Sequence, residues 1–227
     1  MTTALLSLSA VLATSVLVAP VSSADAPQND RPAAVPSGWK AVNGAELAQL
    51  TDGTDRPAAD RRAPSAAADG SASAKAHEPE LIGLQSARNG KFVAAELNYA
   101  APNTGALRAR SSFITGGWEG FAFEWDENSD TYALRNLANN RYVAVEKNFT
   151  GTSQNVLRTR STAVGGWEKF VLYYNEGLDR WALQSTLNGL FVTMENSYTG
   201  SLQYALRARS AAIGGSWEQF TLFDLNG

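Results

Sequence analysis

The chain has 227 residues, with 19 Lys and Arg against 22 Asp and Glu and a formal net charge of −3. It holds no Lys/Arg block of the kind that neutralises a run of phosphates, which excludes nucleic acid as the expected partner. It also holds no Cys, which removes disulfides, thiolate nucleophiles and Cys-containing metal sites.

From Thr2 to Ala24 there is no charge, and an apolar stretch from Ala10 to Ala19 is followed by Pro20 and small residues. Residues 1–26 read as a secretory signal peptide, because Ser22-Ser23-Ala24 and Ala24-Asp25-Ala26 each offer small-x-small cleavage chemistry. No Lys or Arg stands near the start, so an uncleaved anchor is the other reading; the apolar run is shorter than the roughly 20 residues that span a bilayer. The expectation is export to the extracellular space, with no membrane association once the signal is cleaved. Export without Cys, together with heavy Ala usage, points to a bacterial source.

Residues 27–79 read as an Ala/Pro-rich linker, too poor in apolar side chains to offset the entropy of ordering, and are expected to be mostly flexible. Within it, Asn43 to Leu50 has the pattern of a helical turn or two, and Trp39 is a candidate for docking. Nearly all the aromatic and β-branched residues lie after Leu81, so the folded domain is expected from Glu80 to the end, residues 80–227.

That domain aligns with itself, in repeats of about 80–125, 126–174 and 175–227. Leu84-Gln85-Ser86, Leu134-Arg135-Asn136 and Leu183-Gln184-Ser185 open the matching segments, and eight residues after each Leu comes Phe92-Val93, Tyr142-Val143 or Phe191-Val192. Fifteen residues further on stand Leu107-Arg-Ala-Arg-Ser111, Leu157-Arg-Thr-Arg-Ser161 and Leu206-Arg-Ala-Arg-Ser210. A glycine turn follows, Gly116-Gly117-Trp118-Glu119, Gly165-Gly166-Trp167-Glu168 and Gly214-Gly215-Ser216-Trp217-Glu218, with Phe121, Phe170 or Phe220 three residues after the Trp. Only the turn varies in length, by one residue, and it is shortest in the second repeat.

In the second repeat the pattern predicts strands over Tyr132 to Asn136, Arg141 to Glu146, Asn155 to Ser161 and Lys169 to Tyr174, giving four per repeat. Asn89-Gly90, Asn139-Asn140 and Asn188-Gly189 mark tight hairpins whose asparagines serve the turn. The period-two alternation of Leu-Arg-Ala-Arg buries Leu107 and Ala109 and puts Arg108 and Arg110 on the opposite face. Each repeat supplies about six large apolar side chains, worth roughly 1.5–3 kcal/mol apiece when buried, too little to order it alone. Three repeats must therefore share one core, and an all-β barrel capped by hairpins meets that need while removing exposed sheet edges.

The run Leu-x-Ala-x followed by Gly-x-Trp-Glu-x-Phe-x-Leu resembles the repeat signature of fascin-type β-trefoils across residues 80–227. The resemblance implies the β-trefoil fold. It also implies kinship with secreted bacterial modules that are attached to polysaccharide-degrading enzymes or bind β-glucan trivalently. Eukaryotic fascins bundle actin with several trefoils in tandem; one exported trefoil departs from that arrangement.

The candidate ligand-binding residues are the repeated pairs Trp118 with Glu119, Trp167 with Glu168 and Trp217 with Glu218: an indole stacks on a pyranose face and a carboxylate accepts sugar hydroxyls. The competing reading has each Trp covering the barrel edge and each Glu accepting hydrogen bonds within its turn. Tyr99, Phe149 and Tyr198, inside the longest loops, either line the same sites or anchor those loops. Arg108, Arg110, Arg158, Arg160, Arg207 and Arg209 are either basic patches for sulfated or uronic-acid polymers or strand-face residues paired with Glu96, Glu146 and Glu195. Asn148-Phe149-Thr150 is a glycosylation sequon without meaning in a bacterium.

No catalysis, metal or cofactor is expected. The single His, His77, precedes the domain, and a catalytic site is normally unique whereas a binding site can be copied three times. These residues support a secreted, monomeric, lectin-like carbohydrate-binding module with up to three equivalent sites for a polysaccharide such as β-glucan. The alternatives are a protein-interaction or inhibitor module using one loop, and a structural cell-envelope component.

Overall fold

The computed structural model describes residues 34–51 and 78–226. The expected signal peptide, most of the expected linker and His77 lie outside the described residues. A short strand, β1 (Lys40–Ala41), and one helix, α1 (Gly44–Thr51), precede twelve strands in three sets of four. The first set is β2 (Glu80–Ser86), β3 (Phe92–Glu96), β4 (Ala106–Ser111) and β5 (Gly120–Asp126). The second is β6 (Thr131–Asn136), β7 (Tyr142–Val145), β8 (Leu157–Ser161) and β9 (Phe170–Asn175). The third is β10 (Arg180–Ser185), β11 (Phe191–Met194), β12 (Leu206–Ser210) and β13 (Phe220–Asp224).

The outer strands of each set close a ring through the antiparallel pairs β2–β5, β5–β6, β6–β9, β9–β10, β10–β13 and β13–β2. The inner strands form the hairpins β3–β4, β7–β8 and β11–β12, each with a register shift one residue into its first strand. Single bridges tie these hairpins to one another around the pseudo-three-fold axis: Ala106 with Arg158, Arg108 with Ala205 and Val156 with Arg207. Equivalent residues fill the barrel core, Leu84, Leu134 and Leu183 together with Phe121, Phe170 and Phe220.

The hairpin turns run as expected from their asparagines. Asn89, Asn139 and Asn188 each donate a side-chain hydrogen bond to the carbonyl of Ala109, Thr159 or Ala208. The side-chain carbonyl of each accepts from the backbone N–H two residues on.

The expectation of a mostly flexible linker from 27 to 79 is corrected for residues 34–51, which pack on the barrel, with the helical pattern of Asn43 to Leu50 and the docking of Trp39 as expected. Trp39 is buried against Tyr173, Ala182, Phe191 and Ile213, and β1 pairs with Tyr173 and Tyr174 of β9. Helix α1 opens with a reciprocal cap, Asn43 Oδ1 accepting from Glu46 N–H and Glu46 Oε2 from Asn43 N–H. Its Leu47 and the preceding Val42 join the barrel core, while Gly44 sits so close to Trp125 that a Cβ would lie 2.9 Å from the ring. Composition averaged over the segment hides this, because three well-spaced apolar side chains suffice once a barrel end is there to receive them.

Candidate functional site

The glycine turn between the last hairpin strand and the last barrel strand is built alike in every repeat. The backbone carbonyls of Trp118, Trp167 and Trp217 accept from the N–H of Ala95, Val145 and Met194, pinning each turn to the hairpin beside it. The Glu that follows each Trp is buried. Glu119 Oε2 accepts from the N–H and hydroxyl of Thr115, Glu168 Oε2 from Gly165 N–H at 2.8 Å, and Glu218 from Gly214 N–H and the Thr193 hydroxyl. The expectation that Glu119, Glu168 and Glu218 present carboxylates to a ligand is therefore corrected: burial favours spending a carboxylate on backbone donors, and these hold the turn.

The three indoles differ in what covers them. The Arg88 guanidinium lies 4.4 Å from the Trp217 ring and that of Arg160 lies 5.4 Å from Trp167. Among the described residues no guanidinium lies over Trp118, which is 46 % exposed, and Phe113 in the same loop is 73 % exposed. Ala138 backs onto the Trp118 turn at Gly117, in the hairpin-turn position that Arg88 holds beside Trp217, so a small residue leaves the first indole open.

Tyr99, Phe149 and Tyr198 are half-buried with Arg108, Arg158 and Arg207 lying 5.5–5.6 Å over their rings. Arg108 and Arg207 also donate to the hydroxyls of Tyr99 and Tyr198. Burial and the neighbouring Glu195 push the Tyr198 hydroxyl above the usual tyrosine range. This is the loop-anchoring arrangement.

The arginines divide into inner and outer rows. The inner three each donate to the neighbouring repeat, Arg108 Nε to Gln203 O, Arg158 Nε to Thr104 O and Arg207 Nε to Gln154 O. Each buried Glu96, Glu146 or Glu195 holds one inner and one outer guanidinium. The hydrogen bond to Glu96 raises the already high Arg110 pKa further. The opposite face of the Leu-Arg-x-Arg strand is thus a contact between repeats, where sequence alternation read a face away from the core.

Sequence reasoning did not find the exposed Phe113, whose counterparts are Ala163 and Ala212 and which therefore leaves no three-fold signal.

No family model matches the sequence, and no curated protein does. Among solved structures the chain is similar to the designed three-fold symmetric protein ThreeFoil, at 20 % identity and a TM-score of 0.52, over 64 % of this chain and 99 % of that one. The fold is a β-trefoil. It is also similar to a Polyporus squamosus lectin solved with the epitope Neu5Aca2-6Galb1-4GlcNAc, at 18 % identity and a TM-score of 0.52, over 65 % of this trefoil chain and half of the lectin. A third similarity is to the Macrolepiota procera ricin B-like lectin in complex with lactose, at 8 % identity and a TM-score of 0.50, over 66 % and 99 %.

Proposed function

We propose that this β-trefoil is an exported, non-catalytic carbohydrate-binding module that stacks sugar rings on the indoles of its glycine turns. The observation that carries the reading is Trp118: a half-exposed indole on a turn held by a buried carboxylate, with no guanidinium over it among the described residues. Binding a flat apolar sugar face needs a pre-formed aromatic platform, and a rigid turn lowers the entropy cost of presenting one. Glu119, Glu168 and Glu218 act as positioning residues that hold the platforms. Trp167 and Trp217 stand on matching turns but share their faces with arginines, so Trp118 leads and the three sites are unequal.

Two of the similar structures are lectins solved with sugars, which supports the ligand class, and the fascin-type resemblance of the repeats supports a neutral polysaccharide such as β-glucan. The apolar run from Ala10 to Ala19 supports export, from a bacterial cell given the lack of Cys. Sites on one rigid barrel can engage a polymer together, and effective concentration then raises avidity by about 10²-fold or more.

The test is retention by insoluble β-1,3-glucan, β-1,6-glucan, chitin and cellulose. Wild-type protein is expected in the pellet with at least one of them. Trp118→Ala, folded by circular dichroism, is expected to weaken retention about tenfold, the loss of one stacking contact of roughly 1.4 kcal/mol. Unchanged retention by Trp118→Ala would place the ligand elsewhere.

A further inference from the structure

The hairpin turn that joins the first two strands of each repeat folds against the glycine turn of the repeat before it, the first closing onto the third. Ala87 N–H donates to Gln219 O at 2.9 Å, Leu137 N–H to Gly120 O at 3.0 Å and Thr186 N–H to Lys169 O at 3.1 Å. Each acceptor stands two residues after a turn tryptophan, Trp217, Trp118 or Trp167. The residue that follows each donor is then Arg88 beside Trp217, Ala138 beside Trp118 and Leu187 beside Trp167. One position thus gives the three turns three different neighbours: a cation, a methyl group and an aliphatic chain.

Arg88 is exposed, and its guanidinium lies 4.4 Å from the Trp217 ring. Among the described residues it has neither an ion pair nor a side-chain hydrogen bond. Glu218, the acid next to Trp217, is buried and accepts from the Thr193 hydroxyl and Gly214 N–H instead. Arg160, the other guanidinium over a turn indole, is tied to Glu146. Lys91, on the same turn as Arg88, donates to the Ser112 hydroxyl and has no ion pair among the described residues, so it adds a second uncompensated charge. The backbone presenting Arg88 is fixed: its N–H donates to Ser86 Oγ, Gly90 N–H to Ser86 O, and Asn89 Nδ2 to Ala109 O.

We infer that the third glycine turn is an acidic-sugar site, in which Arg88, held over Trp217, takes the carboxylate of a uronic acid residue. The inference rests on the carbohydrate-binding reading and adds a second ligand class to it. A guanidinium carries five N–H donors in a fixed fork that matches a carboxylate in bidentate fashion. Seating it on an indole holds it in place and lowers the cost of ordering it for a ligand. The same contact covers the ring, so this turn gives up stacking area for anion recognition, whereas Trp118 has no guanidinium over it among the described residues.

The probes are tetragalacturonate, its fully methyl-esterified form, acetate and a β-1,3-glucan tetrasaccharide. Each is titrated into the full 15N-labelled chain while the indole N–H of Trp217 and the Nε–H of Arg88 are followed. Tetragalacturonate is expected to shift both signals saturably, at concentrations where acetate shifts neither. The methyl ester keeps the rings and loses the charges, and is expected to bind about tenfold more weakly or worse, a difference of about 1.4 kcal/mol. Arg88→Ala is expected to lose tetragalacturonate by the same factor while its affinity for the glucan does not fall and its melting temperature stays close to wild type, since Arg88 is an exposed turn residue. Equal affinity of acid and ester, or of Arg88→Ala and wild type, would overturn the inference, as would an equal response to acetate alone. Glucan binding at Trp118 without tetragalacturonate binding would overturn it and leave the carbohydrate-binding reading standing. No binding of either sugar, together with no retention by the insoluble polysaccharides, would overturn both.

Discussion

Tyr132 lies in the barrel core with its hydroxyl buried and no hydrogen-bond partner among the described residues, and that burial pushes its pKa well above the usual value near 10. Because the folded-state value is raised, the contribution of this group is intact below about pH 10 and declines as pH rises above it, where the unfolded chain loses the proton first. Tyr132→Phe removes an unsatisfied polar atom at constant shape. It is expected to leave stability at pH 7 unchanged or raise it by about 1 kcal/mol, and to move the alkaline unfolding midpoint upward in urea titrations. At the glycine turns, Arg88 covers Trp217, so on the proposed function Arg88→Ala should free a second indole and raise polysaccharide retention; lower retention would mean that the guanidinium itself touches the sugar. The Trp residues were legible in the sequence because they repeat. Their unequal exposure was not, because it is set by Arg88, Ala138 and Arg160, residues that touch the turns only after the barrel closes.

At the scale of elements, the cap is one cyclic network. Each hairpin sends an inner arginine to a backbone carbonyl of the preceding repeat, the first closing the ring onto the third, while its own buried glutamate holds that arginine from behind. Removing one partner of a buried charge pair leaves the other uncompensated, which typically costs about 3–5 kcal/mol. Arg207→Met is therefore expected to destabilise by about 3 kcal/mol in urea unfolding, since Glu195 keeps only Arg209 and Gln154 loses its donor. A change below about 0.5 kcal/mol would show the pair to behave as an exposed one. Period-two alternation placed Leu107 and Ala109 correctly in the core. It was silent on Arg108, because alternation tells the two faces of a strand apart but not whether the second face meets water or a neighbouring repeat.

For the whole molecule, the unit that folds together begins before the trefoil. Trp39, Val42 and Leu47 are buried on it, and the start of the helix lies against Trp125. Trp39→Ala is expected to cost about 3 kcal/mol by denaturant midpoint, the usual loss for truncating a buried large aromatic. The three-fold core was readable from spacing alone, since each repeat is too small to fold by itself and identical intervals admit few closures. The docked segment was legible only in part, from the helical pattern of Asn43 to Leu50 and from Trp39, because it appears once in a region dominated by Ala, Pro and Ser and nothing repeats to mark where it packs. The most direct test of the account is titration of the 15N-labelled protein with a soluble β-1,3-glucan oligosaccharide while following the indole N–H signals of its six tryptophans. The account predicts a saturable shift of Trp118 at the lowest concentrations, smaller shifts of Trp167 and Trp217, and none of Trp39, Trp125 or Trp181. Shifts absent from Trp118, with this sugar and with the chitin and cellulose oligomers alike, would contradict it.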